Sequence, residues 1–330
     1  FHVQPECPGI RGTFRVRLLQ PGKTLGKLRP GRDVVFLDYA AVGQDSLKRH
    51  LEKLENHYVA AGIPVIRISA KHLPWYPASS PSKNCVFTIH PRARDKITPI
   101  PRWVTLQVNA KFEPSLVCYN AMGYKPGRIA DTFLVVTAHL DHLGRMGSEA
   151  LYAGANDNAS GTAMMMALAK AFATFLDTPR YSVLFVGFGA EELGLVGSQE
   201  FVKTYPGTLS SIRFLLNLDL MGGGDKGVTF VNGKAFPALA LLADSLNRQF
   251  AGLASIQHRD NAPNSDHYPF TIHGVPAVFL FAQGEGIAYH DVLDTAERLP
   301  MHNCPRLFEF IWRFLEALQK PLPASFLGQK

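Results

Sequence analysis

Apolar and polar positions change their rhythm once along the chain. From the first residue to about Ala110, prolines and glycines interrupt every pattern and few elements can be read. Residues 33–40, "DVVFLDYA", predict a strand. Residues 45–62, "DSLKRHLEKLENHYVAAG", predict an amphipathic helix capped by Asp45 and stopped by Gly62, and 63–69, "IPVIRIS", predict a second strand. Together these make one strand, helix, strand unit. Residues 103–113, "WVTLQVNAKFE", alternate apolar and polar side chains like a half-exposed strand.

From Asp131 onward apolar runs alternate with helical segments. The runs are "TFLVVTAH", "YSVLFVGFGA", "IRFLLNLDL" and "VPAVFLFA". Helices are expected after the first run, at 239–250 and at 306–319. Continuous apolar strands separated by helices predict an α/β fold with a mostly parallel sheet covered on both faces, preceded by a smaller N-terminal α+β region. In such sheets ligands gather beyond the carboxyl ends of the strands. No internal repeat is visible.

Composition narrows the class without changing it. The 330 residues are 46% apolar and 18% charged, enough for a real core. No run approaches the ~20 apolar residues that span a bilayer; the richest, 162–176, carries Lys170 and reads as a helix buried in protein. The net charge of +7 is scattered and not interleaved with aromatics, so it reads as solvated surface and no nucleic-acid partner is expected. Cys7, Cys85, Cys118 and Cys304 form no CxxC pair, which argues against a structural zinc knot and leaves room for one or two disulfides. Starting at Phe1 without a methionine or a charged-then-apolar leader, the sequence is expected to be that of a processed, secreted or periplasmic protein, with a trimmed piece of a longer chain as the alternative.

The ends of the predicted strands are loaded with ionisable groups. The first ends in "AHLDH" with His139, Asp141 and His142, and "GANDNASG" follows with Asp157 in a glycine-bounded turn. The next ends in "AEE" with Glu191 and Glu192, the third in "NLDLMGG" with Asp219, and "YHDVLDT" supplies Tyr289, His290 and Asp294. Each has a plain structural explanation: Asp157 and Asp219 as helix caps, Glu191 and Glu192 as a solvated pair, His139 as a core imidazole bonded to a carbonyl, His290 as a surface one. Taken together they would repel one another unless cations lay between them. Imidazole nitrogens and carboxylate oxygens are zinc ligands, a carboxylate can bridge two ions, and paired metals acidify a shared water. Of two adjacent glutamates, one can bind metal while the other moves the proton. Asp141, two residues from His139, is placed to accept the other ring N–H and fix the tautomer.

In this order, "AHLDH", "GANDNASGTA", "GFGAEELGLVGS", "NLDLMG", "SDHYPF" and "YHDVLDT" resemble the zinc aminopeptidases of metallopeptidase family 28, the bacterial leucyl aminopeptidases among them. The resemblance runs from about Val104 to Arg313. It implies a mixed sheet and two co-catalytic Zn2+ ions, with peptide or protein N-termini as substrate and hydrolysis by a water or hydroxide bridging the metals. Carried over motif by motif, Asp157 would bridge, Glu192 and His290 would complete one site, and His139 and Asp219 the other. Glu191 would be the general acid and base, Tyr289 a donor to the oxyanion, and Asp294 would orient His290. His142, Asp266 and His267 lie inside the motifs without being family ligands; the two histidines are assigned to the pocket wall or the surroundings of the ligands.

Residues 1–105 are similar in fragments to the protease-associated domain of some secreted relatives, with a family-specific structural extension as the alternative; 106–330 would be the catalytic domain. Two other functions fit the same fold. A glutaminyl cyclase shares the ligands and transfers an acyl group within its substrate, and a binding module would have lost catalysis. The motifs favour the hydrolase, and every ligand position is filled. Side-chain preference, aminopeptidase against dipeptidase action, disulfide pairing and oligomeric state are not specified by the sequence.

Overall fold

A computed structural model describes residues 2–69, 75–175, 178–250, 252–284 and 288–327. The chain forms two compact units, 1–116 and 117–330.

In the first unit a six-stranded sheet has the order β1-β5-β4-β3-β2-β6. Its strands are β1 (His2–Val3), β2 (Ile10–Leu18), β3 (Asp33–Asp38), β4 (Val65–Ile68), β5 (Val86–Ile89) and β6 (Trp103–Val108), and its helix is α1 (Asp45–Ala60). The strand, helix, strand reading holds for β3, α1 and β4, and β3 and β4 pair in parallel. The region is richer in structure than its proline content implies. β2 alternates, with Arg11, Thr13, Arg15 and Arg17 between Ile10, Phe14 and Val16, but Gly12 weakens its inward row, and β1 and β5 are too short for a periodicity to show. Asp45 is not the cap: Gln44 holds that position without a side-chain hydrogen bond, and Asp45 is the first helical residue, 3.3 Å from Lys48. Gly62 does stop the helix, at φ +78°. β6 ends at Val108, so only half of the predicted 103–113 strand forms, and it spans the 105/106 boundary drawn from the sequence. Cys7 and Cys85 form a disulfide, and Cys118 and Cys304 are free.

In the second unit a seven-stranded sheet has the order β14-β13-β15-β12-β8-β11-β7. Its strands are β7 (Ala121–Lys125), β8 (Ile129–His139), β11 (Tyr181–Phe188), β12 (Ile212–Leu218), β13 (Gly227–Val231), β14 (Ile256–His258) and β15 (Ala277–Gln283), with a separate hairpin of β9 (Gly144–Met146) and β10 (Ala150–Tyr152). β11, β8, β12 and β15 run parallel; β7 and β13 join antiparallel. This is the mixed, mostly parallel sheet that the apolar runs predict. α2 (Gly161–Phe175), α4 (Pro237–Phe250) and α6 (Cys304–Leu318) cover one face, and α3 (Val196–Thr204) and α5 (His267–Ile272) the other. The run expected at 162–176 is described to Phe175, with Leu176 outside the described residues. Strand side chains alternate between the faces: Leu134, Val136 and Ala138 pack under α2, and Val135 packs toward α3. Because the four central strands are parallel, all their carboxyl ends open on one edge. Among the described residues no helix is long and apolar enough to cross a membrane.

Candidate metal centre

The parallel register brings the candidate residues together. His139 is the last residue of β8, Glu191 and Glu192 follow β11, and Asp219 follows β12. Asp157 lies in the segment between β10 and α2, and His290 follows β15. All six carry buried or largely buried side chains.

Asp157 is central. Its Oδ1 lies 3.2 Å from His139 Nε2, and its Oδ2 lies 3.2 Å from His290 Nε2. His139 Nε2 is also 3.4 Å from Asp219 Oδ1, and His290 Nε2 is 3.1 Å from Glu192 Oε2. The carboxylate therefore has one oxygen toward each half of the site.

The surroundings hold these groups in place. The backbone N–H of Asn156 and of Asp157 donate to the Asp294 carboxylate at 2.7 and 3.1 Å. Asn158 donates to Leu218 O and accepts from Gly161 N, tying the segment to the end of β12. Gly161 has no room for a side chain, since a Cβ there would meet Asn158 and Leu218 O. The Asp141 carboxylate accepts from the backbone N–H of Glu191 and Glu192 at 3.0 and 3.1 Å. The expected partner of the His139 ring is thus also the anchor of the glutamate pair. It is the Asp141 carbonyl that faces His139 Nδ1, at 3.1 Å, with the carboxylate 3.9 Å off.

Three supporting residues, Ser265, Asn217 and Thr137, escaped the sequence reading. Ser265 Oγ donates to Asp219 Oδ2 at 2.8 Å and accepts from Asn217 Nδ2 at 2.7 Å, while Thr137 donates to Asn217 Oδ1. A polar Asn in the otherwise apolar run "FLLNL" was the available signal. His142 Nδ1 contacts Glu192 Oε1 at 2.7 Å; an ionised carboxylate only accepts, so the ring donates there. His267 is fully buried with Nε2 3.2 Å from Asn261 Oδ1, and burial pulls it down to about 4. Asp266 is buried beside it and pushed up to about 7 by that burial. Tyr289 is 47% exposed, stacks on His290 at 4.1 Å and lines the cavity over the strand ends.

Burial and the neighbouring charges act against each other here. Burial alone would lower His139 and His290. The carboxylates prevail, raising His139 well above its usual range through Asp219 and Asp157, and His290 to about 9 through Asp157 and Glu192. Burial would raise Asp157, yet His139 and His290 hold it well below the carboxylate range. Burial does raise Glu191, to about 9, and Asp294 more modestly. Glu192 is depressed: burial would lift it, and the hydrogen bonds to His142 and His290 bring it down.

The same atoms fit a metal. His139 Nε2, Asp157 Oδ2 and Asp219 Oδ1 are buried without a hydrogen bond, although the nearest atoms are 3.2 to 3.4 Å away. With Nδ1–H directed at the Asp141 carbonyl, His139 Nε2 faces two carboxylates, so it must carry either a proton, as its raised pKa allows, or a metal cation. Two groups have ligand atoms within 4.8 Å of one another: His139, Glu191 and Asp219, and His142, Asp157 and Glu192. Nitrogen and oxygen donors of this kind suit zinc.

Known proteins share this architecture. The sequence profile described as Peptidase family M28 matches residues 120–315. Leupeptin-inactivating enzyme 1 of Streptomyces exfoliatus is 30% identical over 167 residues, which are 50% of this chain and 36% of that protein. A probable leucine aminopeptidase 2 of Aspergillus oryzae is 28% identical over 193 residues, 56% of this chain and 37% of that one. The chain thus aligns with little more than a third of these curated relatives. Among solved structures, BSAP, a zinc aminopeptidase from Bacillus subtilis, superposes with a TM-score of 0.65 at 20% identity, covering 96% of this chain and 78% of that one. A glutaminyl cyclase from an Acidobacteriales bacterium superposes at 0.52 with 20% identity, over 61% and 73%.

Proposed function

The chain belongs to peptidase family M28, and from that premise we propose that it is a zinc-dependent aminopeptidase releasing residues from peptide N-termini. The observation that carries the reading is the set of buried, unpartnered ligand atoms on His139, Asp157 and Asp219 at the ends of adjacent parallel strands. Asp157 would share its two oxygens between two zinc ions, His139 and Asp219 holding one and Glu192 and His290 the other. Bound there, zinc would polarise the scissile carbonyl and lower the pKa of water to about 7.

The chain's own residues supply the rest. Glu191 is kept near 9 by burial in the metal-free protein, so it holds a proton readily; beside cations it would ionise, accept a proton from water and pass it to the leaving amine. Asp141 would set its position through the backbone N–H, and His142 would hold Glu192 through Oε1, leaving Oε2 toward His290. Asp294 would act on the backbone of Asp157. Tyr289, at the cavity wall beside His290, would donate to the developing oxyanion. For residues 1–105 the similarity of β3 and β4 to protease-associated strands supports a protease-associated module, with a structural extension as the alternative.

Digestion of a peptide library by zinc-loaded protein, read by mass spectrometry, tests the reaction. Stepwise loss of N-terminal residues is expected. Ammonia release and a blocked product from peptides beginning with glutamine would instead identify a cyclase, and zinc binding without any product would identify a binding module.

A further inference from the structure

The cavity over the strand ends contains one cation that the proposed chemistry leaves unused. It has a volume of about 200 Å³ and is lined, among the described residues, by Asp157, Glu191 and Asp219, by an apolar set including Leu220, Phe279 and Phe281, and by Arg259. This is below the ~300–1,000 Å³ of pockets for drug-sized ligands, so the enclosed part of the space suits one or two residues of a substrate.

Arg259 directly follows β14, and its backbone is fixed on both sides. Its N–H donates to Phe230 O at 2.8 Å, and its carbonyl accepts from Lys234 N at 3.3 Å. The adjacent Asp260 is engaged by Lys234 at 2.8 Å. Among the described residues no carboxylate pairs with Arg259, although three line the same cavity. Those three crowd around the histidines. What remains is an exposed arginine on an anchored stretch of backbone at the cavity wall, whose guanidinium fork matches a carboxylate with two parallel hydrogen bonds.

We propose that Arg259 is a specificity-determining residue of this site, receiving a carboxylate carried by the substrate. The carboxylate has two possible sources: an acidic first side chain, whose methylenes would lie along Phe279 and Phe281, or the free terminus of a dipeptide. The proposal rests on the peptidase reading, because it takes the cavity as the place where substrate binds. It also sets a cation against substrates that begin with Lys or Arg.

Two matched substrate pairs separate the sources. Glu-Ala-amide is compared with Gln-Ala-amide, and Leu-Ala bearing a free carboxylate with Leu-Ala-amide, as kcat/KM on zinc-loaded protein. In one pair the acid is expected to be favoured by about tenfold or more, the scale of one charge-assisted hydrogen bond. Arg259→Gln should bring that ratio near one, Arg259→Lys should keep part of it, and Arg259→Glu should invert it. Because each ratio is taken within a pair, a general loss of rate cancels. The same peptides titrated calorimetrically into zinc-loaded Glu191→Gln protein, with and without Arg259→Gln, read the preference without turnover. Cleavage of all four peptides with no acid preference, or a preference that survives Arg259→Gln, overturns the assignment while the peptidase reading stands. Arg259-dependent binding without cleavage would leave the assignment and remove the peptidase reading. Neither binding nor cleavage would remove both.

Discussion

Both units bury carboxylates beside parallel strands, and they neutralise them differently. In residues 1–116, Asp33 is met by Arg15 at 2.8 Å and by the Arg29 N–H at 2.8 Å, and Glu55 by Arg67 at 2.7 Å and the Tyr39 hydroxyl at 2.8 Å. Every partner comes from the chain itself. In residues 117–330, Asp157, Asp219, Glu191 and Glu192 are gathered with three histidines, His139, His142 and His290, and no Arg or Lys is paired to them among the described residues; Asp157 Oδ2 and Asp219 Oδ1 have no hydrogen bond. A fold that stabilises its own buried charges is complete as it stands. One that balances its carboxylates only with titratable imidazoles, and leaves buried acceptor atoms without a hydrogen bond, can exchange those protons for a cation.

The largest effect that would break this contrast is expected at Asp157. Asp157→Ala should remove zinc from both positions and take activity to background, whereas Glu191→Gln should retain zinc and lower kcat by at least ~100-fold. Metal analysis and initial rates on the same preparations decide it; near-normal turnover in the second variant would end the proton-transfer role.

The comparison sharpens with a stability measurement. Glu55→Gln removes the partner of a half-buried Arg67 and should cost about 3 kcal/mol, read from the urea transition of the metal-free protein. Glu191→Gln, replacing an acid that burial already holds near 9, should leave metal-free stability unchanged or raise it. Equal losses in the two variants would show that the units do not differ in this respect.

The smallest effect is in pH. In the metal-free protein His290 is raised from 6.5 to about 9, so the stability its carboxylate partners confer is complete below 6.5 and lost as pH rises through about 9. Glu191, raised from 4.5 to about 9, acts in the same direction, since its neutral form is the one the fold favours. Metal-free melting temperature should therefore fall between about pH 6.5 and 9. Zinc must displace those protons, so its stabilising increment should grow over the same range, and a melting series with and without zinc checks both slopes. An increment independent of pH would contradict the assignment of the histidines as ligands.

Much of the site could be read before any coordinates. His139, Glu191, Glu192 and Asp219 sit where apolar runs stop, and a run of Val, Leu and Phe ending in a charged residue marks the exit of a buried strand. The supporting contacts were less visible. Ser265 reaches Asp219 across 46 residues of sequence, and Asp141 supports Glu191 and Glu192 across 50 and 51, through backbone groups that leave no mark in composition. β2 was passed over although it alternates, because Gly12 weakens its inward row, and the disulfide partner of Cys7 is set by which segments become neighbours in space.

By itself the sequence determined the kind of chemistry, because residue type fixes donor atoms and strand-ending positions fix which edge of the sheet they occupy. Only the tertiary structure decided which oxygen of Asp157 faces which histidine, that Asp141 serves the glutamates as well as the imidazole, and that Arg259 lines the same cavity. Those are relations between residues far apart in the chain, settled by strand order and register, and neither is written in any local pattern.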